Sequence, residues 1–397
     1  MPRASVLSRV HTLFALLGAA EATLLPFVPL LLRERGFDSA DIGLVLAAMS
    51  LAGFAAGPFW GYAADLRVGN ELALAVSATA AAGVSVLVFF AHDRALLALA
   101  AVALWAFRSS NASLADAIAL DRLGDERRAE YGRIRLWQSI GWAVAVLLWG
   151  VIVEASSYGA TALLYPAALV AVVAWTLLGL PRASAASRPR VRLARRELGR
   201  MTPLVVFLVA VLLAQGGFAA GFNFSSLRIA GLGGSALLVA LAASLQAVAE
   251  VPAMASMTRL RRVLSARHFY VAGCAVYAGV MLFWAVATDP VSVAVARLVL
   301  GVGFALTYVG SVVIMDELVP PHLRATGQVA AKSVMFGLAP VAGALGGGLV
   351  YGHVGPPAMF VAAGVLAALA ALVTLQVEAA SARRPATYHS SSGSNMS

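Results

Sequence analysis

One cysteine, one lysine and a charged fraction of only 12% mark what this 397-residue sequence lacks. With Cys274 standing alone, a disulfide framework and any cysteine-based structural zinc or iron–sulfur site are excluded. No Gly-rich nucleotide loop followed by Lys-Ser/Thr occurs, which argues against direct ATP drive. HExxH, paired Cys/His ligands and a Gly-x-Ser-x-Gly elbow are missing too, so neither an enzyme nor a cofactor is expected. What fills the chain instead is apolar: 61% of residues are hydrophobic, against roughly 45–50% for a soluble domain. A polytopic membrane protein follows.

A bilayer core about 30 Å thick needs roughly 20 apolar residues of helix. Twelve runs qualify, at 10–32, 41–64, 72–91, 95–119, 136–154, 159–180, 204–227, 236–258, 269–287, 291–315, 327–351 and 357–377. They are numbered here as spans 1 to 12. The first has the basic lead and the Ala20-Glu21-Ala22 site of a cleaved signal, but it continues unbroken to Leu32, which favours a retained span.

Basic residues orient the spans, because short loops rich in arginine stay cytoplasmic. One set of alternating loops with both ends carries 20 of the 29, the opposite loops only Arg33, Arg35, Arg94 and Arg228. Both termini are therefore expected in the cytoplasm of a bacterial inner membrane. The net charge of +10 is then an insertion signal with an attraction to anionic lipid, and no nucleic-acid partner is expected.

A polar stretch rich in arginine at 182–200 divides the chain six plus six. Pro58, Gly61 and Arg67 recur as Pro252, Ala255 and Arg261, and Asp121 and Gly132 as Asp316 and Gly327, at offsets of 194 and 195. A near-constant offset is the mark of duplicated halves. The expected organisation is a six-helix bundle over 1–180, a cytoplasmic linker over 181–200, a second bundle over 201–378 and a disordered tail over 379–397. The fold class is all-α integral membrane, in two pseudo-symmetric bundles.

GYAADLRVGN at Gly61–Asn70 resembles the loop motif of the major facilitator superfamily, with Asn70 where that motif has a basic residue. YGRIRLWQSIGW at Tyr131–Trp142 is similar to the stretch opening helix 5 in the branch of lactose permease and the proton symporters for oligosaccharides, nucleosides and phenylpropionate. PFVPLLL in span 1, the whole of span 2 and DELVPPHLRATGQ before span 11 look like the same branch. Gln138 replaces its usual glycine, and the histidine and charged cluster of lactose permease in helix 10 are missing. The resemblance implies alternating access, with helices 1, 4, 7 and 10 lining the cavity. It places the substrate at Asp116 and Arg135, and a cytoplasmic latch at Asp65 and Arg67.

A charge at membrane depth costs at least about 2.5–3.5 kcal/mol, so each is a functional hypothesis. Arg108 lies roughly 20 Å deep in span 4 at 1.5 Å per residue. Asn111 and Asp116 follow on one stripe, as candidate substrate ligands with Arg108; pairing of Arg108 with Asp116 or with a neighbouring helix is the alternative. Arg135 offers a bidentate fork to hydroxyls or a carboxylate. Glu21 is a candidate proton carrier, a substrate contact or the partner of an arginine. Glu250 is a second proton site, or pairs with Arg297 or Lys332. Gln215, Asn223, Ser225 and Tyr308 supply neutral polar contacts. The expected function is proton-coupled uptake of a small sugar, nucleoside or aromatic acid by a monomer, with proton-driven efflux of drugs or metabolites as the alternative.

Overall fold

The computed structural model describes residues 3–123, 131–180, 201–260, 263–320 and 323–382, without the side chains of 3–6, 66–67, 258–259, 325 and 377–382. Helix dominates these residues and no strand occurs among them. This is what a chain with no water around its backbone must do, since each helix satisfies its own amides and carbonyls. The spans are Leu7–Glu34, Ser39–Ala63, Asn70–Phe90, Arg94–Leu123, Tyr131–Ala155, Tyr158–Gly179, Thr202–Gly231, Ala236–Met257, Ala266–Val286, Pro290–Leu318, Thr326–His353 and Pro356–Gln376. All twelve expected runs are present. The largest difference is at span 5, whose helix starts at Tyr131 and not at 136. Its first two turns carry Arg133 and Arg135, so the apolar run begins later than the helix itself.

Several spans are interrupted where the sequence removes a backbone donor or adds a competing one. Span 1 breaks over Leu25–Phe27, beside Pro26 and Pro29. Span 4 breaks at Ser109 and Ser110, directly after Arg108. Span 11 widens into a π-helical turn, Val334–Leu338, just ahead of Pro340. The last helix continues to Ala382, four residues into the expected tail, and the expected linker at 181–200 lies outside the described residues.

Span 1 packs on span 5, span 8 on span 10, and span 7 on spans 11 and 12. The halves meet along two seams, span 2 with span 11 and span 5 with span 8. Glycine permits both. A Cβ on Gly43 would stand 2.5 Å from the Cα of Gly348, and one on Gly150 would stand 2.4 Å from the Cβ of Ala240. Glu154 Oε2 also accepts the Leu237 amide across the second seam at 3.1 Å. These contacts lie at the end of the bundle whose loops are poor in arginine. At the arginine-rich end Arg135 and Lys332 are exposed. The two seams close the halves against each other at the arginine-poor end.

Candidate functional site: a cavity between the halves

A cavity of about 170 Å³ lies midway along the bundle, lined from both halves by spans 1, 2, 4, 7, 10 and 11. Trp105, Phe218, Phe222, Phe304 and Phe336 form its aromatic walls, and Ser50, Gln215 and Asn223 its polar groups. No charged side chain lines it. Expected ligands Gln215 and Asn223 thus reach the cavity. Sequence reasoning missed the rings of spans 7, 10 and 11, since an apolar run does not distinguish a ring facing the cavity from one facing a neighbouring helix.

Two buried arginines stand behind this wall, one in each half. Arg108 of span 4 lies over the Trp105 ring at 4.4 Å and pairs with Glu21 of span 1. Fully buried Tyr165 of span 6 sits beside the pair. Arg297 of span 10 lies over the Phe222 ring at 4.6 Å. Its Nε and Nη2 donate to Gln246 Oε1 at 3.1 and 2.8 Å, and its Nη1 donates to Ser225 at 2.9 Å. Gln246 Nε2 in turn donates to Glu250 at 3.0 Å. The two networks differ in one respect. Glu21 is in direct contact with its arginine, whereas an amide separates Glu250 from Arg297. Only one amide orientation serves both neighbours, because the arginine can only donate.

The stripe expected on span 4 does not form. Its break at Ser109 and Ser110 interrupts the register, so Asn111 is fully buried and its Oδ1 accepts from Ser77 of span 3 at 2.8 Å. Asn111 therefore holds the bundle together and does not reach the cavity. Arg108 likewise pairs with span 1 and not with Asp116. Ser225 serves Arg297 and does not line the cavity.

Asp116 and Arg135 lie nearer the arginine-rich end. The Tyr131 hydroxyl donates to Asp116 Oδ1 at 2.7 Å, and the charges of Arg135 and Lys332 reach this carboxylate. Arg135 is exposed and donates to Gln138. Tyr308 stacks on Phe304 at 5.8 Å and lies 6.2 Å from the Phe336 ring. Asp65 is exposed on the turn Ala64–Val68, and the side chain of its expected latch partner Arg67 lies outside the described residues.

A model of the MFS_1 like family matches residues 8–362. The chain belongs to this family of the major facilitator superfamily. The proteins it resembles are transporters, and this protein is a multi-pass membrane transporter and not an enzyme. It is 31% identical over 254 residues to maltose permease of Geobacillus stearothermophilus, an alignment spanning 62% of this chain and 63% of that permease. It is 23% identical to the uncharacterized transporter YwbF of Bacillus subtilis (strain 168), over 89% of this chain and 88% of the relative. In fold it matches the nucleoside transporter NupG with a TM-score of 0.83 at 16% identity, covering 94% of this chain and 99% of that one. The POT family transporter PepTSo gives a TM-score of 0.73 at 9% identity, covering 94% of this chain and 98% of that one.

Proposed function

We propose that the protein is a proton-coupled symporter that takes up a neutral, sugar-bearing solute across the bacterial inner membrane, with both termini and the arginine-rich end in the cytoplasm. The observation that carries this reading is the uncharged cavity, with aromatic walls facing Ser50, Gln215 and Asn223. Aromatic faces stack on sugar or base rings, while amides and hydroxyls donate and accept at ring substituents. The maltose permease and nucleoside transporter similarities agree with such a solute. Asp116 and Arg135, nearer the cytoplasm, bind hydroxyls of the solute on its way through.

Glu250 is the proton carrier in this reading. Protonating Glu21 would leave Arg108 buried without its counter-ion, a loss of about 3–5 kcal/mol for a buried pair. Glu250 does not touch its arginine, and Gln246 and Ser225 keep Arg297 hydrogen-bonded in either state of Glu250. A protonated carboxyl keeps an oxygen to accept from Gln246, so the amide tolerates both states of its neighbour. Glu21 is then the fixed partner of Arg108.

Proton flux into liposomes holding the purified protein and an internal pH dye tests this. External glycosides and nucleosides should acidify the interior, and aromatic acids and cationic drugs should not. Alkalinisation on adding a drug would make the protein an exporter.

A further inference from the structure

The outer end carries four arginines, and the structure accounts for two. Arg94 pairs with Asp41 at 2.5 Å. Arg35 donates to the carbonyls of Ala91 and Phe89 at 3.0 and 2.9 Å. Arg33 and Arg228 come from opposite halves, and both line a cavity of about 550 Å³ where the halves close over each other. Among the described residues neither makes a salt bridge with a carboxylate. Arg33 donates to the Ser39 hydroxyl at 2.9 Å, and Arg228 Nη2 donates to the Ala287 carbonyl at 2.6 Å. The Nε of Arg228 is buried with no acceptor. Charges from both guanidiniums reach Tyr351, whose ring stacks on Phe224 at 5.2 Å.

The rest of the wall compensates this charge only in part. Asp38 is its single carboxylate, and Oδ1 accepts the Asp41 amide at the start of span 2 at 2.8 Å. His353 donates from Nδ1 to the Leu349 carbonyl at 2.9 Å. Closing the outer end therefore gathers two cations against one committed anion, and buries one donor without a partner.

We infer that this cavity is a binding site for a phosphate-type oxyanion, which bridges Arg33 and Arg228 and holds the outer end shut. Planar guanidiniums match an oxyanion by paired, charge-assisted hydrogen bonds, and the orphaned Nε supplies one of them. When the halves part at this end the two arginines part with them, so the site is complete only in the closed state. A ligand with that difference in affinity must shift the population towards closure. The source of the phosphate group is either free phosphate outside the cell or the headgroup of an outer-leaflet lipid. The inference is independent of the identity of the transported solute.

The test uses the full chain in zwitterionic nanodiscs at constant ionic strength, titrated with inorganic phosphate. A cysteine replacing Ala47, buried one turn beyond Gly43, reports opening through its rate of labelling by maleimide. Phosphate at ten times its dissociation constant should slow labelling by up to about ten-fold. R33Q and R228Q should abolish the effect, and R94Q, whose arginine pairs with Asp41, should keep it. Melting of the protein without the reporter gives a second reading, with phosphate raising Tm in the parent and not in R228Q. Protection in phosphatidylglycerol nanodiscs without added phosphate, lost in R228Q, would assign the site to lipid headgroups. Labelling and melting indifferent to phosphate and to lipid, or equal effects in R228Q, would overturn the inference.

Discussion

At the scale of single residues, the two intramembrane glutamates separate by what they touch. Glu21 and Arg108 are both mostly buried, 13% and 9% exposed at the side chain, and are in direct contact. Glu21→Gln should therefore destabilise the purified protein by about 3–5 kcal/mol. Thermal melting would show this as a marked fall in Tm, largely recovered when Arg108→Gln is added. Glu250→Gln should lower Tm much less than Glu21→Gln, because the new amide can still accept from Gln246 and Arg297 keeps its hydrogen bonds to Gln246 and Ser225. The same variant should retain solute exchange and lose accumulation against a gradient. Accumulation that survives in Glu250→Gln would move the proton elsewhere. If Arg135 binds the solute as proposed, Arg135→Ala removes charge-assisted hydrogen bonds worth about 2 kcal/mol, or roughly thirty-fold in Kd by direct binding. An unchanged Kd would remove Arg135 from the solute path.

At the scale of elements, the seams between halves set which end opens. A Cβ on Gly43 meets both the Gly348 Cα at 2.5 Å and the Ala344 carbonyl oxygen at 2.6 Å, and neither backbone has a flexible end to move aside. Gly43→Val should therefore hold the arginine-poor end open, with faster maleimide labelling of Ala47→Cys and uptake reduced at least about ten-fold for a cost above 1.4 kcal/mol. Unaltered labelling would mean that the seam yields elsewhere. The same scale shows what was legible beforehand. All twelve spans could be read because the bilayer imposes one length and one composition. The duplicated halves were legible in Pro58 and Pro252, both inside the helices of spans 2 and 8. The fate of Asn111 was not, since two serines break span 4 just before it and a helical-stripe argument assumes an unbroken register. The partner of Glu21 was legible only as one of several alternatives, because an isolated carboxyl carries no record of which helix faces it. The phenylalanine walls from spans 7, 10 and 11 were hidden for the same reason.

At the scale of the whole molecule, an uncharged cavity has an energetic consequence that a charged one lacks. A neutral solute moving inward with one proton carries one net positive charge, and 100 mV of membrane potential is worth about 2.3 kcal/mol per charge. Since 1.4 kcal/mol is a factor of ten, that potential alone supports roughly fifty-fold accumulation. Liposomes at equal pH inside and out, given a potassium diffusion potential negative inside, should therefore concentrate the solute until the potential is collapsed. A monoanionic solute entering with one proton would move no net charge and would ignore the potential. The buried arginines sharpen the contrast: Arg108 and Arg297 stand behind Trp105 and Phe222, where their charges are matched or hydrogen-bonded within the protein and are not offered to a carboxylate in the cavity. Accumulation driven by pH difference and indifferent to potential would show that the solute brings its own negative charge, and would assign its recognition to Arg135 at the arginine-rich end rather than to the neutral amides of span 7.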